Sequence, residues 1–256
     1  MSLPQRIALM SAMQEELAAV LQALPNKRCV HRAGRDFWLG QWHGCEVVAV
    51  LSRIGKVAAA TTATVLIEHF GAQTLVFTGV AGALDASLRI GDVVIGRRFV
   101  QHDMDASPLF PRHEVPLYGR ALFEADAKLA VQLAQASEHV LADAALHLGP
   151  RTLAEFQLNT PRVHRGLILS GDRFVSTSAE SHALRQALPE ALAVEMEGAA
   201  VAQVCHDYGV PFAAVRTISD RADDTAHTDF QRFIREVASR YSLAIVSQWL
   251  RQRALD

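Results

Sequence analysis

The chain has 256 residues, half of them hydrophobic, with a formal charge of −2 and three cysteines. A chain this long can bury about three quarters of its unfolded surface, and no Pro/Gly/Ser-rich linker divides it, so a single domain over residues 1–256 is expected. The balanced charge argues against nucleic acid or an acidic membrane as a partner, and no apolar run approaches the roughly 20 residues that span a bilayer. Met1 to Arg6 lacks the apolar region of a secretory signal, and Cys29, Cys45 and Cys205 form an odd set without C-x-x-C spacing, so a reducing, cytoplasmic location is expected.

In chain order, Arg6 to Met13 reads as a buried strand and Gln14 to Leu24 as an amphipathic helix stopped by Pro25. Phe37 to His43 and Cys45 to Ile54 form a hairpin pattern turning near Gly44, and Lys56 to Phe70 is helical with Gly71 as its stop. Thr74 to Thr78 and Asp92 to Val100 are further strands. Gln101 to Gly119 holds three prolines and reads as a long ordered loop, the kind that is usually functional. Its His102, Asp103 and Asp105 read as a solvated turn, because no further cluster completes a metal site. Ala121 to Leu148 is mostly helix, Val163 to Ser170 a strand, and Ser178 to Leu188 a helix closed by Pro189. Ala191 to Met196 is a strand passing into a helix from Gly198 to His206, with Cys205 as plain core, and Phe212 to Ile218 is the next strand. The last helix, Asp229 to Arg253, carries an apolar stripe at Phe233, Val237, Tyr241 and Ile245. This alternation predicts an α/β fold: a mixed, mainly parallel sheet flanked by helices.

Two strands end in carboxylates. Ala191 to Met196 runs into Glu195 and Glu197, and Phe212 to Ile218 into Ser219-Asp220. Ligands of open α/β sheets bind outside the carboxyl ends of strands, so these groups point toward a substrate. The competing reading is that Glu197 and Asp220 cap the helices that follow; it is weaker for the pair than for either alone. Glu16, at the start of the first helix, reads on position alone as an acidic first-turn residue.

Val194-Glu195-Met196-Glu197-Gly198-Ala199-Ala200, followed by Val215-Arg216-Thr217-Ile218-Ser219-Asp220, resembles the bacterial methylthioadenosine/S-adenosylhomocysteine nucleosidases of the nucleoside phosphorylase superfamily. The resemblance continues at Ser11-Ala12-Met13-Gln14-Glu15-Glu16, Ile54-Gly55-Lys56-Val57-Ala58-Ala59-Ala60, Thr78-Gly79-Val80-Ala81-Gly82, Gly91-Asp92-Val93-Val94 and Ser170-Gly171-Asp172-Arg173-Phe174-Val175. It spans about Arg6 to Phe233 in the family's order. It implies a nucleoside phosphorylase-like domain needing no cofactor and no metal, and a homodimer with loop 101–119 at the interface, where Leu109 and Phe110 are candidates to reach the neighbour's pocket. Residues 149–161 look like a surface insertion relative to that family.

Breaking an N-glycosidic bond to a purine needs a proton for the departing base, negative potential near a ribosyl cation, and an activated water. The resemblance assigns these to Asp220, which would protonate adenine N7, to Glu197, which would hold the ribose hydroxyls, and to Glu16, which would take a proton from water. Ser219 would orient Asp220, Phe174 would stack on the purine, and the Val175 backbone would read its edge. Met196 would lie under the ribose, while Met13, Ile54 and Phe230 would line a slot for the 5′-alkylthio group. Val80, Ala81, Gly82 and Glu195 complete the expected substrate-binding set, and Arg216 is expected to pair with Glu195.

Phosphorylases of the superfamily carry an N-terminal Gly-Asp-Pro-x-Arg loop, with an Arg and a Ser around the Gly motif. Here Ser11 to Glu16 fills the first place, and Phe77 and Val80 the others, so hydrolysis is favoured. The nucleosidases usually have Ser where this chain has Val80 and a small residue at Arg53, which reads as a surface residue or a partner for an anionic tail. The expected function is hydrolysis of methylthioadenosine and S-adenosylhomocysteine. Next in order come another purine nucleoside or nucleotide (AMP or a futalosine-type substrate), a phosphate-dependent phosphorylase, and a non-catalytic nucleoside-binding protein.

Overall fold

The computed structural model describes residues 6–223 and 230–254. The elements follow in the order β1 (Arg6–Ser11), α1 (Gln14–Ala23), β2 (Arg28–Arg32), β3 (Arg35–Trp42), β4 (Cys45–Leu51), α2 (Lys56–Glu68), β5 (Thr74–Ala83), β6 (Val93–Gln101), β7 (Leu122–Glu124), α3 (Ala127–Ala142), α4 (Ala144–Leu148) and α5 (Pro150–Glu155). Then come β8 (Val163–Ser170), α6 (Ser178–Ala187), β9 (Ala191–Glu195), α7 (Gly198–Tyr208), β10 (Phe212–Asp220), α8 (Phe230–Phe233) and, after a π-helical stretch at Ile234–Ala238, α9 (Ser239–Arg253).

All ten strands join one sheet. β1 lies parallel between β4 and β5, and β5 is also parallel to β10. β6, β8 and β9 run parallel to one another, and they meet the first group antiparallel at β10–β6 and β5–β9. β5, β10, β6, β8 and β9 therefore pair round a closed ring. Helices cover both faces. Buried side chains of α1, α3 and α9 pack on one side with Ile7, Val76 and Ile95, and those of α2 and α7 pack on the other with Met10, Phe77 and Phe99.

The mixed α/β sheet is as the alternation predicts, with a larger antiparallel share because two short strands escape the pattern. β2 is Arg-Cys-Val-His-Arg, mostly exposed, with no apolar face to announce it. β7 opens the segment expected to be mostly helix: Phe123 is fully buried between exposed Leu122 and Glu124, a period of two. Helix α3 starts only where the Asp126 carboxylate accepts the Leu129 N–H, and it breaks before α4 at Asp143.

Residues 149–161 lie largely at the surface. They form α5, bury Thr152 and Leu158, and set Phe156 edge-on to Phe233. Strand β5 continues beyond the expected Thr78 to Ala83, which takes Val80, Ala81 and Gly82 into the sheet. The expected stripe Phe233, Val237, Tyr241 and Ile245 is buried throughout. Its four-residue spacing is wider than the 3.6 residues of an α-helical turn, and the wider π-helical turn at Ile234–Ala238 accommodates it. The expected start of that helix at Asp229 lies outside the described residues.

Candidate active site

β5 and β9 overlap only near their carboxyl ends, where Gly82 faces Val194 and Ala83 faces Ala193. Because β1 and β10 run parallel to β5, and β8 parallel to β9, the segments leaving all five strands converge at one place. A cavity of about 360 Å³ lies there, within the range of small-molecule sites. All the residues assigned from the sequence border it: Glu16, Glu197 and Asp220, Met13 and Ile54, Val80 to Gly82, Phe174 and Val175, Glu195 and Met196, Ser219 and Phe230. Ala12, Arg173 and Val194 join them without having been expected. A larger surface groove of about 1310 Å³ between α1, α3 and α9 carries Glu15 but none of the three assigned carboxylates.

Glu16 is more than an acidic first-turn residue. Its Oε2 accepts the N–H groups of Ala12 and Met13, each at 2.9 Å, which is a helix-capping arrangement. Its Oε1 reaches across to the sheet and accepts the Val80 N–H at 2.9 Å. That reach explains a glycine: a Cβ at Gly79 would stand 2.5 Å from Glu16 Oε1. Burial pushes the Glu16 carboxyl above its usual range, against the opposing pull of Arg216 and the three N–H donors.

Glu195 and Glu197 divide two tasks that look alike in the sequence. Glu195 caps α7: its oxygens accept the Gly198 and Glu197 N–H groups, a close Ser170 hydroxyl, and Arg216 Nη2 at 2.7 Å. It borders the cavity, but its carboxylate is already engaged, so it supports the site rather than offering a free contact. The expected Arg216–Glu195 pair is present and buried on both sides, with the guanidinium 4.1 Å from the Phe77 ring centroid. Glu197 occupies the N-cap position of α7 but makes no side-chain cap bond there. Instead it accepts the Gly55 N–H at 2.8 Å. Burial and the neighbouring Glu195 raise its carboxyl to about 8, with Glu16 adding to the rise and Gly55 N–H and Arg216 opposing it.

Asp220 ends β10 with a buried carboxyl. Ser219 Oγ donates to its Oδ2 at 2.7 Å, the orienting contact expected of that serine, and the Ala222 N–H donates to Oδ1 at 2.8 Å. A Cβ at Gly82 would lie 2.9 Å from Asp220 Oδ1, so Gly79 and Gly82 of one motif make room for two different carboxylates. Beside Asp220, Val175 is buried, while Phe174 is half-exposed and sits edge-on to Phe230 at 5.7 Å between centroids.

The doubtful positions resolve. Arg53 stands off the cavity, exposed, with Nη2 donating to the Gly34 carbonyl at 2.6 Å. Phe77 is fully buried beneath Arg216 and does not face the cavity. Asp103 pairs with Lys56, and among the described residues no group of three His, Cys, Asp or Glu side chains is placed to hold a metal. In the sequence Ser170 and Gly55 stand out only as parts of motifs. Their roles, on Glu195 and on Glu197, depend on contacts between segments far apart in the chain and leave no local pattern.

The family model described as the phosphorylase superfamily matches residues 6–250. Among solved structures, the chain is similar to a 5′-methylthioadenosine/S-adenosylhomocysteine nucleosidase from Neisseria meningitidis, in complex with methylthio-immucillin-A, at 32% identity, covering 97% of this chain and 99% of that one with a TM-score of 0.84. The nucleosidase of S. pneumoniae with the transition-state inhibitor MT-ImmA matches at 33% identity, 98% and 100% coverage and a TM-score of 0.83. A futalosine hydrolase of Helicobacter pylori matches at 31% identity, 95% and 97% coverage and a TM-score of 0.82.

Proposed function

This chain belongs to the phosphorylase superfamily, within the group that takes in the methylthioadenosine/S-adenosylhomocysteine nucleosidases, and we propose that it is an enzyme hydrolysing the N-glycosidic bond of 5′-methylthioadenosine and S-adenosylhomocysteine. The observation that carries this reading is an imbalance of charge. Glu16, Glu195, Glu197 and Asp220 are buried around one cavity, and Arg216 is the buried cation among them. Burial raises the proton affinity of Glu16, and burial with repulsion from Glu195 and Glu16 raises that of Glu197. A ribosyl cation between them supplies the missing positive charge, so the site favours the transition state over the neutral substrate.

In this reading the C1′–N9 bond breaks with its electron pair passing to the base. Asp220 gives its proton to adenine N7, and Ser219 keeps that carboxyl in register. Water attacks C1′ and loses a proton to Glu16, whose raised proton affinity suits a base in this role. Glu197 holds the ribose hydroxyls, and Met13, Ile54 and Phe230 receive the 5′ group in an apolar slot.

The apolar slot favours an alkylthio group over a phosphate, since Arg53 faces Gly34 rather than the cavity. Arg173 borders the cavity but its guanidinium is ion-paired with Glu180. The similarity to a futalosine hydrolase keeps a futalosine-type substrate as the second reading. A homodimer is part of the proposal, supported by strongly exposed Val57, Leu109 and Leu117, the last two in loop 101–119. A cytosolic location is proposed with it, in keeping with three unpaired cysteines. Among the described residues no helix is long and apolar enough to cross a membrane.

The test is release of the free purine base from methylthioadenosine with and without phosphate, beside S-adenosylhomocysteine, AMP and futalosine, read as adenine for the first three and as hypoxanthine for futalosine. Phosphate-independent release, fastest from the thioethers, is expected. Release that requires phosphate would establish a phosphorylase, and preference for futalosine would establish the second reading.

A further inference from the structure

Three segments that are remote in sequence form a closed ring of polar contacts beside the cavity. The Lys56 N–H donates to Asp172 Oδ1 at 2.8 Å, the Asp172 N–H donates to Asp103 Oδ2 at 2.9 Å, and Lys56 Nζ donates to Asp103 Oδ1 at 2.5 Å. The ring joins the start of α2, the loop after β6 and the loop after β8. The Lys56 side chain is 15% exposed and that of Asp103 28%, while Asp172 lies at the surface. Burial alone would raise the Asp103 carboxyl, yet the Lys56 hydrogen bond and the Asp172 N–H hold it below its usual range. The loops also interlock sterically, since a Cβ at Gly171 would stand 2.3 Å from His102 Nε2.

Two of the three segments continue directly into the cavity wall, and the loop carrying Asp103 ties them together from outside. Lys56 follows Gly55, whose N–H donates to Glu197 and whose neighbour Ile54 lines the 5′ slot. Asp172 precedes Arg173, Phe174 and Val175, which also line the cavity. The ring thus bridges a wall at the ribose end and a wall at the base end without entering the cavity itself.

We infer that Lys56, Asp103 and Asp172 are positioning residues, a clamp outside the cavity that holds the Gly55 N–H on Glu197 and the Phe174 segment against the base. This rests on the nucleosidase reading for its catalytic consequence, but the clamp acts on Glu197 whether or not substrate is present. Glu197 is faced by Glu195 from β9, by Glu16 from α1, by Arg216 from β10 and by the Gly55 N–H before α2. Only the last of these is delivered through the clamp. Releasing it removes a donor that favours the ionised form, so Glu197 must then hold its proton to higher pH.

The test uses Asp103→Asn, Lys56→Met and Lys56→Arg, each checked for folding by thermal melting. The Glu197 carboxyl is followed by carbon NMR with labelled glutamate, its resonance being the one missing from Glu197→Gln. Asp103→Asn and Lys56→Met are expected to move the Glu197 titration upward and to lower kcat/KM by about tenfold or more, with Lys56→Arg restoring part of both. An unmoved Glu197 titration in folded Asp103→Asn and Lys56→Met would overturn the clamp, even if turnover fell. Failure of the unaltered protein to release adenine would instead overturn the nucleosidase reading, and the titration would still decide the clamp.

Discussion

The two ends of the cavity are built on opposite electrostatic plans. At the ribose end, Glu16 and Glu197 crowd the same buried space, and burial holds both protons more tightly than usual. At the base end, Asp220 is held by its own neighbours, the Ser219 hydroxyl and the Ala222 N–H, beside a half-exposed Phe174. In the proposed reading one end waits for a cation; among the described residues, the other orients one carboxyl, that of Asp220. The difference teaches that burial alone does not assign a role to a carboxylate. The groups around it decide whether it answers charge or delivers a proton.

The sharpest way to break this comparison is to neutralise one end at a time. Glu16→Gln and Asp220→Asn are each expected to lower kcat by about 10³-fold while the fold survives, as judged by circular dichroism and adenine release. Undiminished turnover in either variant would remove that residue from the chemistry. A milder contrast uses the two glycines. Gly79→Ala would push a methyl toward Glu16 Oε1 and Gly82→Ala toward Asp220 Oδ1, so each should lower kcat/KM by about 10²-fold. Gly79→Ala should disturb the limb of the pH profile that belongs to Glu16; a profile equal to that of Gly82→Ala would mean the two ends are not separable.

Stability against pH sharpens the same point without substrate. Glu197 binds its proton more tightly folded than unfolded, with a raised value of about 8 against an ordinary 4.5. Its contribution is therefore complete below about pH 4.5 and is lost as pH rises through about 8. Glu197→Gln lacks that loss, so its Tm relative to the unaltered protein should climb between about pH 5 and about pH 9. A constant gap would mean that Glu197 ionises freely. The smallest effect is expected from Ser219→Ala, which leaves Asp220 the Ala222 N–H: about a tenfold fall in kcat, with KM little changed.

What was legible in the sequence followed from local pattern and, for most of the site residues, from the family resemblance. Apolar runs ending in carboxylates marked β9 and β10, and the assigned residues reach a common cavity because strands deliver their ends to one place. Less was legible where a contact joins distant segments. Glu195 and Glu197 stand two residues apart in one motif, and only the fold shows that the first is spent on Arg216, Ser170 and the start of α7 while the second turns to Gly55. Asp103 sat in a loop that looked like a solvated turn until Lys56 and Asp172 came to it from elsewhere in the chain. The strands β2 and β7 were illegible for another reason: five mostly exposed residues and three alternating ones carry too little apolar signal.

The ring of strands has a consequence for how the molecule meets its own copies. A sheet that pairs back on itself leaves few backbone edges open to a stranger, and here β10, which ends the path, is paired on both sides. Among the described strands, the three-residue β7 is bonded only to β6, and β2 is bonded along one flank only, to β3. Strand β2 carries exposed Arg28 and Arg32, so a second chain approaching edge-on meets like charge before it meets a hydrogen-bonding partner. Closure and cationic edge together act as protection against strand-by-strand aggregation, a property separate from anything that happens in the cavity.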